Sequence, residues 1–178
     1  MTKTVNLHGV PGNERLNAFS DGVFAIAITL LVLELKVPEH LPPGGVISSL
    51  LDMAPRFAGH VLSFIVLGVY WVGHHNVFLH IRHHNRTLLW LNIVFLMFVG
   101  AMPFFAGLLV QHSEDPNSLV AYCANLAVAG FGLDAIWWYA TNQRRLVDKK
   151  IDAHLVRLFH RRILTAPAIY LVSRTPGR

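Results

Sequence analysis

Three long runs with almost no charged residues constrain this chain more than any other feature of its sequence. Residues 57–73, 88–110 and 119–139 are mostly apolar, and the only charged side chain within them is Asp134. A helix needs about 20 apolar residues to cross the hydrocarbon core of a bilayer, and about 17 are enough. Each run is therefore long enough to form a transmembrane helix.

The composition excludes most classes of soluble protein. Hydrophobic residues make up 53% of the 178 residues and charged residues only 14%, against about 25% in an ordinary soluble domain. A water-exposed globule of this size could not bury so many apolar side chains, so the surplus is expected to face lipid. A net charge of +5 would suggest nucleic acid as the partner of a soluble protein. In a membrane protein the distribution of the positive charges instead indicates the orientation of the chain in the membrane. We therefore expect no nucleic-acid partner.

The first span is less obvious, because the carboxylate of Asp21 interrupts it. Only 12 uncharged residues separate Asp21 from Glu34, which is too few to cross a bilayer. Asn13 and Glu14 are typical of a helix N-cap and its first turn, and no helix breaker follows before Pro38. The sequence therefore predicts a helix that carries Asp21 into the membrane.

A carboxylate within a membrane is costly unless a donor pairs with it. We expect the donor of Asp21 to come from another helix of the same protein. The candidates lie at the end of the second span, and they are the indole of Trp71 and the imidazoles of His74 and His75.

One face of the first helix carries an apolar stripe. Ile26, Leu30 and Leu33 are spaced i, i+4 and i+7 with Thr29 beside them, and Asp21 points about 140° away at about 100° per residue. Apolar stripes are common, so packing against neighbouring helices or lipid would also explain this one.

The sequence thus predicts an all-α integral membrane protein. We expect a helical bundle with four complete transmembrane helices and a partial fifth, preceded by an N-terminal arm and interrupted by a small interfacial helix at residues 46–53. The arm covers residues 1–13 and the membrane domain residues 14–178, with spans at approximately residues 15–36, 56–75, 87–110 and 118–141 and the partial span at residues 156–173.

The distribution of basic residues predicts the orientation. The N-terminal segment through Arg15, the second loop and the basic segment from Arg144 to Arg162 together carry eleven lysines and arginines, whereas the first loop is flanked by two, Lys36 and Arg56, and the third loop has none. By the positive-inside rule the N-terminus is cytoplasmic. We therefore expect a multi-pass protein of the inner (plasma) membrane, with the lipid bilayer as a partner.

The entrance of the first span carries a family signature. Arg15 and the triplet Phe19-Ser20-Asp21 match the pattern Arg-x-x-x-Phe-Ser-Asp, and the chain resembles the bacterial members of the transmembrane protein 175 family of potassium channels. The resemblance covers residues 14 to about 172. Beyond the signature it continues through residues 22–33, the Tyr70-Trp71-Val72-Gly73-His74-His75 end of the second span, and residues 91–103.

The resemblance implies a potassium-permeable cation channel that conducts passively. Four identical subunits would surround one pore lined by the first helix of each, with potassium as the permeating ion and no cofactor. Carried onto this chain, the apolar constriction is formed by Ile26, Leu30 and Leu33, with Ile26 narrowest and Thr29 offering a hydroxyl between rings. A ring of branched side chains can block ions by dewetting, and a slightly wider ring strips part of their hydration shell.

The resemblance also implies a structural network that fastens the pore helix to the second and third spans. Family members have six spans, so we expect this chain to be truncated at its C-terminus. The residues of the network are Arg15, Phe19, Ser20, Asp21, Trp71, His74, His75 and Asn92.

Three other interpretations remain open. The spacing of His80, His83 and His84 matches the His-x-x-His-His box of membrane di-iron desaturases, but the remaining histidines supply no further box, so we expect neither an enzyme nor a metal site. A metal-binding or efflux role for the histidines is a second alternative. A proton-coupled transporter that uses Asp21 and Asp134 is the third. A titratable cytoplasmic loop near anionic headgroups explains the histidines more simply.

Overall fold

The computed structural model describes residues 11–36, 44–142 and 146–147, with only the backbone of residues 11–13. Within these ranges every regular element is helical, apart from an isolated antiparallel bridge between Ile81 and Val147. The predicted partial fifth span at residues 156–173 lies outside the described residues, as does the predicted arm up to residue 10.

Five α-helices follow one another along the chain. A 3₁₀ turn, Leu31–Glu34, continues the first of them to the end of the first span. The helices are α1 (Pro11–Leu30), α2 (Val46–Asp52), α3 (Ala54–His80), α4 (Arg86–Gln111) and α5 (Pro116–Thr141).

Four of these segments are long and apolar enough to cross a membrane, which confirms the four complete spans for the described part of the chain. They are Glu14–Glu34, Ala54–His80, Arg86–Gln111 and Pro116–Thr141. The short helix α2 is also present where the sequence predicted one.

Two helices extend beyond the predicted spans. Helix α1 begins at Pro11 and not after the predicted cap, Asn13, because proline lacks an N–H and fits the unpaired first turn of a helix. Residues 11–13 are therefore helical, and the membrane-length segment begins at Glu14. Helix α3 continues past the predicted end at residue 75 to His80, whose ring Nδ1 lies 2.8 Å from the carbonyl oxygen of Asn76 one turn earlier.

Side chains cap the two best-packed helices. The Oδ1 atom of Asn85 accepts from the backbone N–H of Leu88 at 2.9 Å and so caps α4. Asp115 caps α5 in the same way, through the N–H of Asn117 at 2.9 Å. Such caps satisfy backbone donors that a helix leaves unpaired at its start.

The core lies between α4 and α5, which form the most extensive helix contact, and α1 packs mainly against α4. Helix α1 contributes one face to this core, and its buried residues recur every three or four positions, as an α-helix requires. They are Leu16, Ser20, Phe24, Ala27 and, in the 3₁₀ turn, Leu31. The opposite face of α1 is left uncovered.

Candidate functional site

The uncovered face of α1 carries the apolar stripe noted in the sequence. Ile26 is 61% exposed, Leu30 41% and Leu33 65%. All three lie on the exposed side of the helix, away from the buried face, and no charged residue occurs between Asp21 and Glu34. The chain therefore presents a charge-free apolar face over about two helical turns.

Thr29 lies exposed on the same face. Its hydroxyl donates to the backbone carbonyl of Ile26 at 2.9 Å, a common arrangement for threonine in a helix. The proton of the hydroxyl is thereby occupied, while the oxygen keeps lone pairs that can coordinate a cation. This geometry limits Thr29 to accepting hydrogen bonds or binding positive charge.

A buried polar network joins α1, α3 and α4 on the other side of the helix. Asn92 is fully buried, and its Nδ2 donates to the Ser20 hydroxyl at 3.0 Å. The Ser20 hydroxyl donates onward to the carbonyl of Leu16 at 2.9 Å. The Oδ1 of Asn92 lies 2.9 Å from Nε2 of His74, and because the amide N–H faces Ser20, His74 must be the donor in this bond.

Aromatic rings hold the imidazole of His74 in place. It stacks on Phe78 at 4.2 Å between ring centroids and on Phe95 at 5.5 Å, with interplanar angles of 24° and 6°. The hydrogen-bonded edge of the ring thus faces Asn92, while its faces contact apolar rings. The network is rigid because every polar group named in it has a partner.

Asp21 has a partner from α3. The indole Nε1 of Trp71 donates to its Oδ1 at 2.8 Å, and the indole in turn stacks on His75 at 5.6 Å. Of the three expected donors, Trp71 alone is hydrogen-bonded to Asp21, since His74 binds Asn92. The Asp21 side chain remains exposed, so the described residues do not enclose this carboxylate.

Other residues of the expected network lie apart from it. Arg15 is exposed and Phe19 is 56% exposed, and within the described residues neither joins the hydrogen bonds around Asn92. Phe19 instead lies on the uncovered face of α1, about two turns before Ile26.

A second anchoring point lies at the far end of the first span, at Glu34. In the sequence this residue only marks the end of an uncharged run. The Oε2 of Glu34 accepts from Nε2 of Gln111 at 3.1 Å. The carboxylate lies against Gly107 of α4, and beside it is a cavity of about 10 Å³ that Arg56 and His60 help to line. No local sequence pattern pairs Glu34 with a glycine 73 positions later.

The histidine box does not form a single helical face. Helix α3 ends at His80, and residues 82–85 are non-helical, so the i, i+3, i+4 geometry of such a box is missing. His80 contacts the Trp137 ring edge-on at 6.0 Å. Across the described ranges no group of three or more His, Cys, Asp or Glu side chains is placed to hold a metal ion.

Comparison with known proteins places the chain among channels. The family model described as "Endosomal/lysosomal potassium channel TMEM175" matches residues 15–103. A potassium channel of Streptomyces collinus is 42% identical over 147 residues, which are 80% of this chain and 71% of that protein. A potassium channel of Chamaesiphon minutus is 37% identical over 164 residues, which are 89% of this chain and 81% of that protein.

More distant relatives and a solved structure agree with this placement. The bovine endosomal/lysosomal proton channel TMEM175 is 34% identical over 152 residues, which are 79% of this chain but only 32% of that protein. The crystal structure of a lysosomal potassium-selective channel TMEM175 homolog from Chamaesiphon minutus matches the fold with a TM-score of 0.77. It is 34% identical, and the match covers 91% of this chain and 84% of that one.

Proposed function

The chain belongs to the TMEM175 channel family, and from this premise we propose that it conducts potassium passively through a pore lined by α1 of four identical subunits. Its spans make it a multi-pass membrane protein. On this proposal potassium is the permeating ion, no cofactor takes part, and the protein is not an enzyme. The charge distribution supports an inner-membrane location with a cytoplasmic N-terminus.

The observation that carries the proposal is the uncovered, charge-free face of α1. Ile26, Leu30 and Leu33 leave much of their side chains exposed in one subunit, although the opposite face of the same helix is packed in the core. Four copies of this face around an axis would form three stacked apolar rings. Thr29 would add four hydroxyl oxygens between the rings formed by Ile26 and Leu30.

Such rings can both close and select. When four branched side chains approach closely, water leaves the gap and ions cannot follow. When the gap widens slightly, an ion passes after losing part of its hydration shell. Potassium holds its water less tightly than sodium, so the wider ring favours potassium. We place the narrowest point at Ile26.

The buried network supports the same role by fixing the rotation of the pore helix. Ser20 and Asn92 bind α1 to α4, and His74 adds α3. Because Ser20 lies about 120° from Ile26 around the axis of α1, the bonds made through it can orient the apolar face without reaching the ion path. Asp21 and Trp71 would add a second tie between α1 and α3.

A liposome flux assay tests this function. Purified protein in vesicles with a potassium gradient should generate a membrane potential near the potassium equilibrium value without any second coupled ion. A potential that develops only when a proton or sodium gradient is also present would reject passive conduction. Empty vesicles and vesicles with a sodium gradient are the controls.

Proton conduction is the second candidate. The vertebrate relatives are named proton channels, and this favours protons as an additional permeating species. The same vesicles loaded with a pH-sensitive dye separate the two ions. Acidification that depends on the protein and persists without potassium supports proton permeability, whereas a dye signal equal to that of empty vesicles excludes it.

A further inference from the structure

Glu34 joins the end of the first span to α4 through a close fit. Its carboxylate lies where a side chain at position 107 would otherwise be. A Cβ atom on Gly107 would stand 2.8 Å from Oε1 and closer still to Oε2 and Cδ. Gln111, one turn further along α4, donates to the same carboxylate at 3.1 Å. Glycine at 107 therefore creates the space that the carboxylate fills.

This contact stands at the end of the helical segment that carries the proposed rings. Leu33, the last of the exposed apolar residues, directly precedes Glu34. The 3₁₀ turn also ends at Glu34, and beyond it the N–H of Lys36 bonds back to the Glu34 carbonyl at 3.1 Å. Glu34 thus holds the end of this segment to α4.

Among the described residues, polar side chains hold the first span to α4 at two separated points. The hydrogen bond between Asn92 and Ser20 holds the inner part of α1, and Glu34 lies 14 residues further along, or about 21 Å at 1.5 Å per residue. Between them α1 meets the core through apolar side chains such as Phe24 and Leu31. Apolar contacts resist separation but are less directional than a hydrogen-bonded carboxylate. Without Glu34 they would leave the end of the span at Leu33 freer to shift.

On the premise that α1 lines the pore, we propose that Glu34 is the positioning residue of the outer ring. Its carboxylate, seated on Gly107 and bound by Gln111, sets the distance of Leu33 from the pore axis. Glu34 acts through Leu33 and need not meet the ion. Because the free energy of wetting an apolar constriction changes steeply with its radius, a small displacement of this ring changes conduction strongly.

Two glycines of α4 supply a matched pair of variants. Gly107→Ala inserts a methyl group into the space of the carboxylate and displaces it. A displaced glutamate side chain is flexible, and alanine raises helix propensity relative to glycine, so α4 should remain folded. Gly100→Ala makes the same chemical change where nothing lies within 4 Å of the new Cβ.

Single-channel recording of the full chain in planar bilayers measures the effect. We expect Gly107→Ala and Glu34→Ala each to raise potassium conductance about threefold or more, because the freed ring samples wider separations. Gly100→Ala should match the wild type. In a Glu34→Ala background, Gly107→Ala should add nothing further, since its target is already gone. Equal conductance of Gly107→Ala and wild type, or additive effects in the double variant, would overturn the proposal.

Glu34→Gln separates position from charge. The amide keeps the size of the side chain and an oxygen that can accept from Gln111. The conductance of Glu34→Gln should therefore stay within about twofold of the wild type. If Glu34→Gln instead lowers conductance at low salt and the loss disappears at high salt, Glu34 acts as a surface charge that attracts cations, and the positioning role is wrong.

Two further measurements distinguish a failure of the positioning proposal from a failure to assemble and from a failure of the proposed function. If Gly107→Ala does not assemble on a sizing column, Gln111→Leu removes the hydrogen bond at an exposed position, and an unchanged conductance there would overturn the proposal. A wild-type protein that passes no potassium would reject the proposed function itself before any variant is compared.

Discussion

Replacing Asn92 by alanine should destabilise the protein by about 2 kcal/mol, and this figure follows from the contacts of one side chain. Asn92 is 0% exposed and bonds to His74 at 2.9 Å and Ser20 at 3.0 Å. Without the amide, the Nε2–H of His74 is buried with no acceptor, which costs about 1–3 kcal/mol. The vacated space adds about 1 kcal/mol.

Two further contributions place the expected loss of unfolding free energy in Asn92→Ala at the lower end of that sum. The Ser20 hydroxyl keeps its bond to the carbonyl of Leu16, so it is not left as an unpaired donor. Hydrogen bonds between membrane helices are also worth only about 0.6 kcal/mol on average, because the unfolded chain in the membrane finds other partners. The His74 donor then dominates the loss.

Asn125→Ala is the matched control. Asn125 is 4% exposed and lies in α5, and its Nδ2 donates to the carbonyl of Phe98 at 3.1 Å. Its Oδ1 is buried and has no hydrogen-bond partner within the described residues. Truncation removes one bond but also an unsatisfied oxygen, so the cost should stay below about 1 kcal/mol.

Reversible unfolding in mixed micelles, with increasing SDS fraction, measures both free energies. A third variant, the double substitution His74→Phe and Asn92→Leu, replaces donor and acceptor by apolar groups and keeps an aromatic ring between Phe78 and Phe95. It should recover at least half of the stability lost in Asn92→Ala. The reasoning is refuted if Asn92→Ala unfolds at the wild-type SDS fraction, or if Asn125→Ala costs as much.

Three other predictions concern the α1 face and its ties. Ile26→Asn should hydrate the proposed constriction and reduce the preference for potassium over sodium; bi-ionic reversal potentials check this, and an unchanged permeability ratio would place the constriction elsewhere. Thr29→Val keeps the shape of the side chain but removes the oxygen, so potassium conductance in bilayers should fall about twofold or more; equal currents would exclude the hydroxyl from the ion path. Trp71→Phe removes the donor to an exposed Asp21, so the unfolding free energy in mixed micelles should fall by at most about 1 kcal/mol, and a larger loss would mean that Asp21 is enclosed in the assembled protein.

The helix inventory could be predicted because it depends on local sequence. Span length follows from uncharged runs such as residues 88–110, and a bilayer accepts only helices of sufficient length with satisfied backbones. The helices extend beyond the predicted spans at their ends, where a few residues can continue a helix at little cost. Pro11 starts α1 early, and residues 76–80 extend α3.

The apolar face of α1 could also be predicted, since the 3.6-residue period places Ile26, Leu30 and Leu33 on one side of any regular helix. Their spacing could not distinguish a face that packs in the core from one that is left open. The structure decided this by burying Ser20, Phe24 and Ala27 instead. The role of the open face in conduction stays a proposal.

The sequence by itself determined the class of the protein, its four spans within the described residues and the family signature at the entrance of the first. Tertiary structure alone decided which polar groups meet. Asn92 joins Ser20 across 72 positions and Glu34 meets Gln111 across 77, and no periodicity within one helix encodes such pairs. They depend on how each helix is rotated and shifted against its neighbours, and that is set by the packing of whole side-chain surfaces.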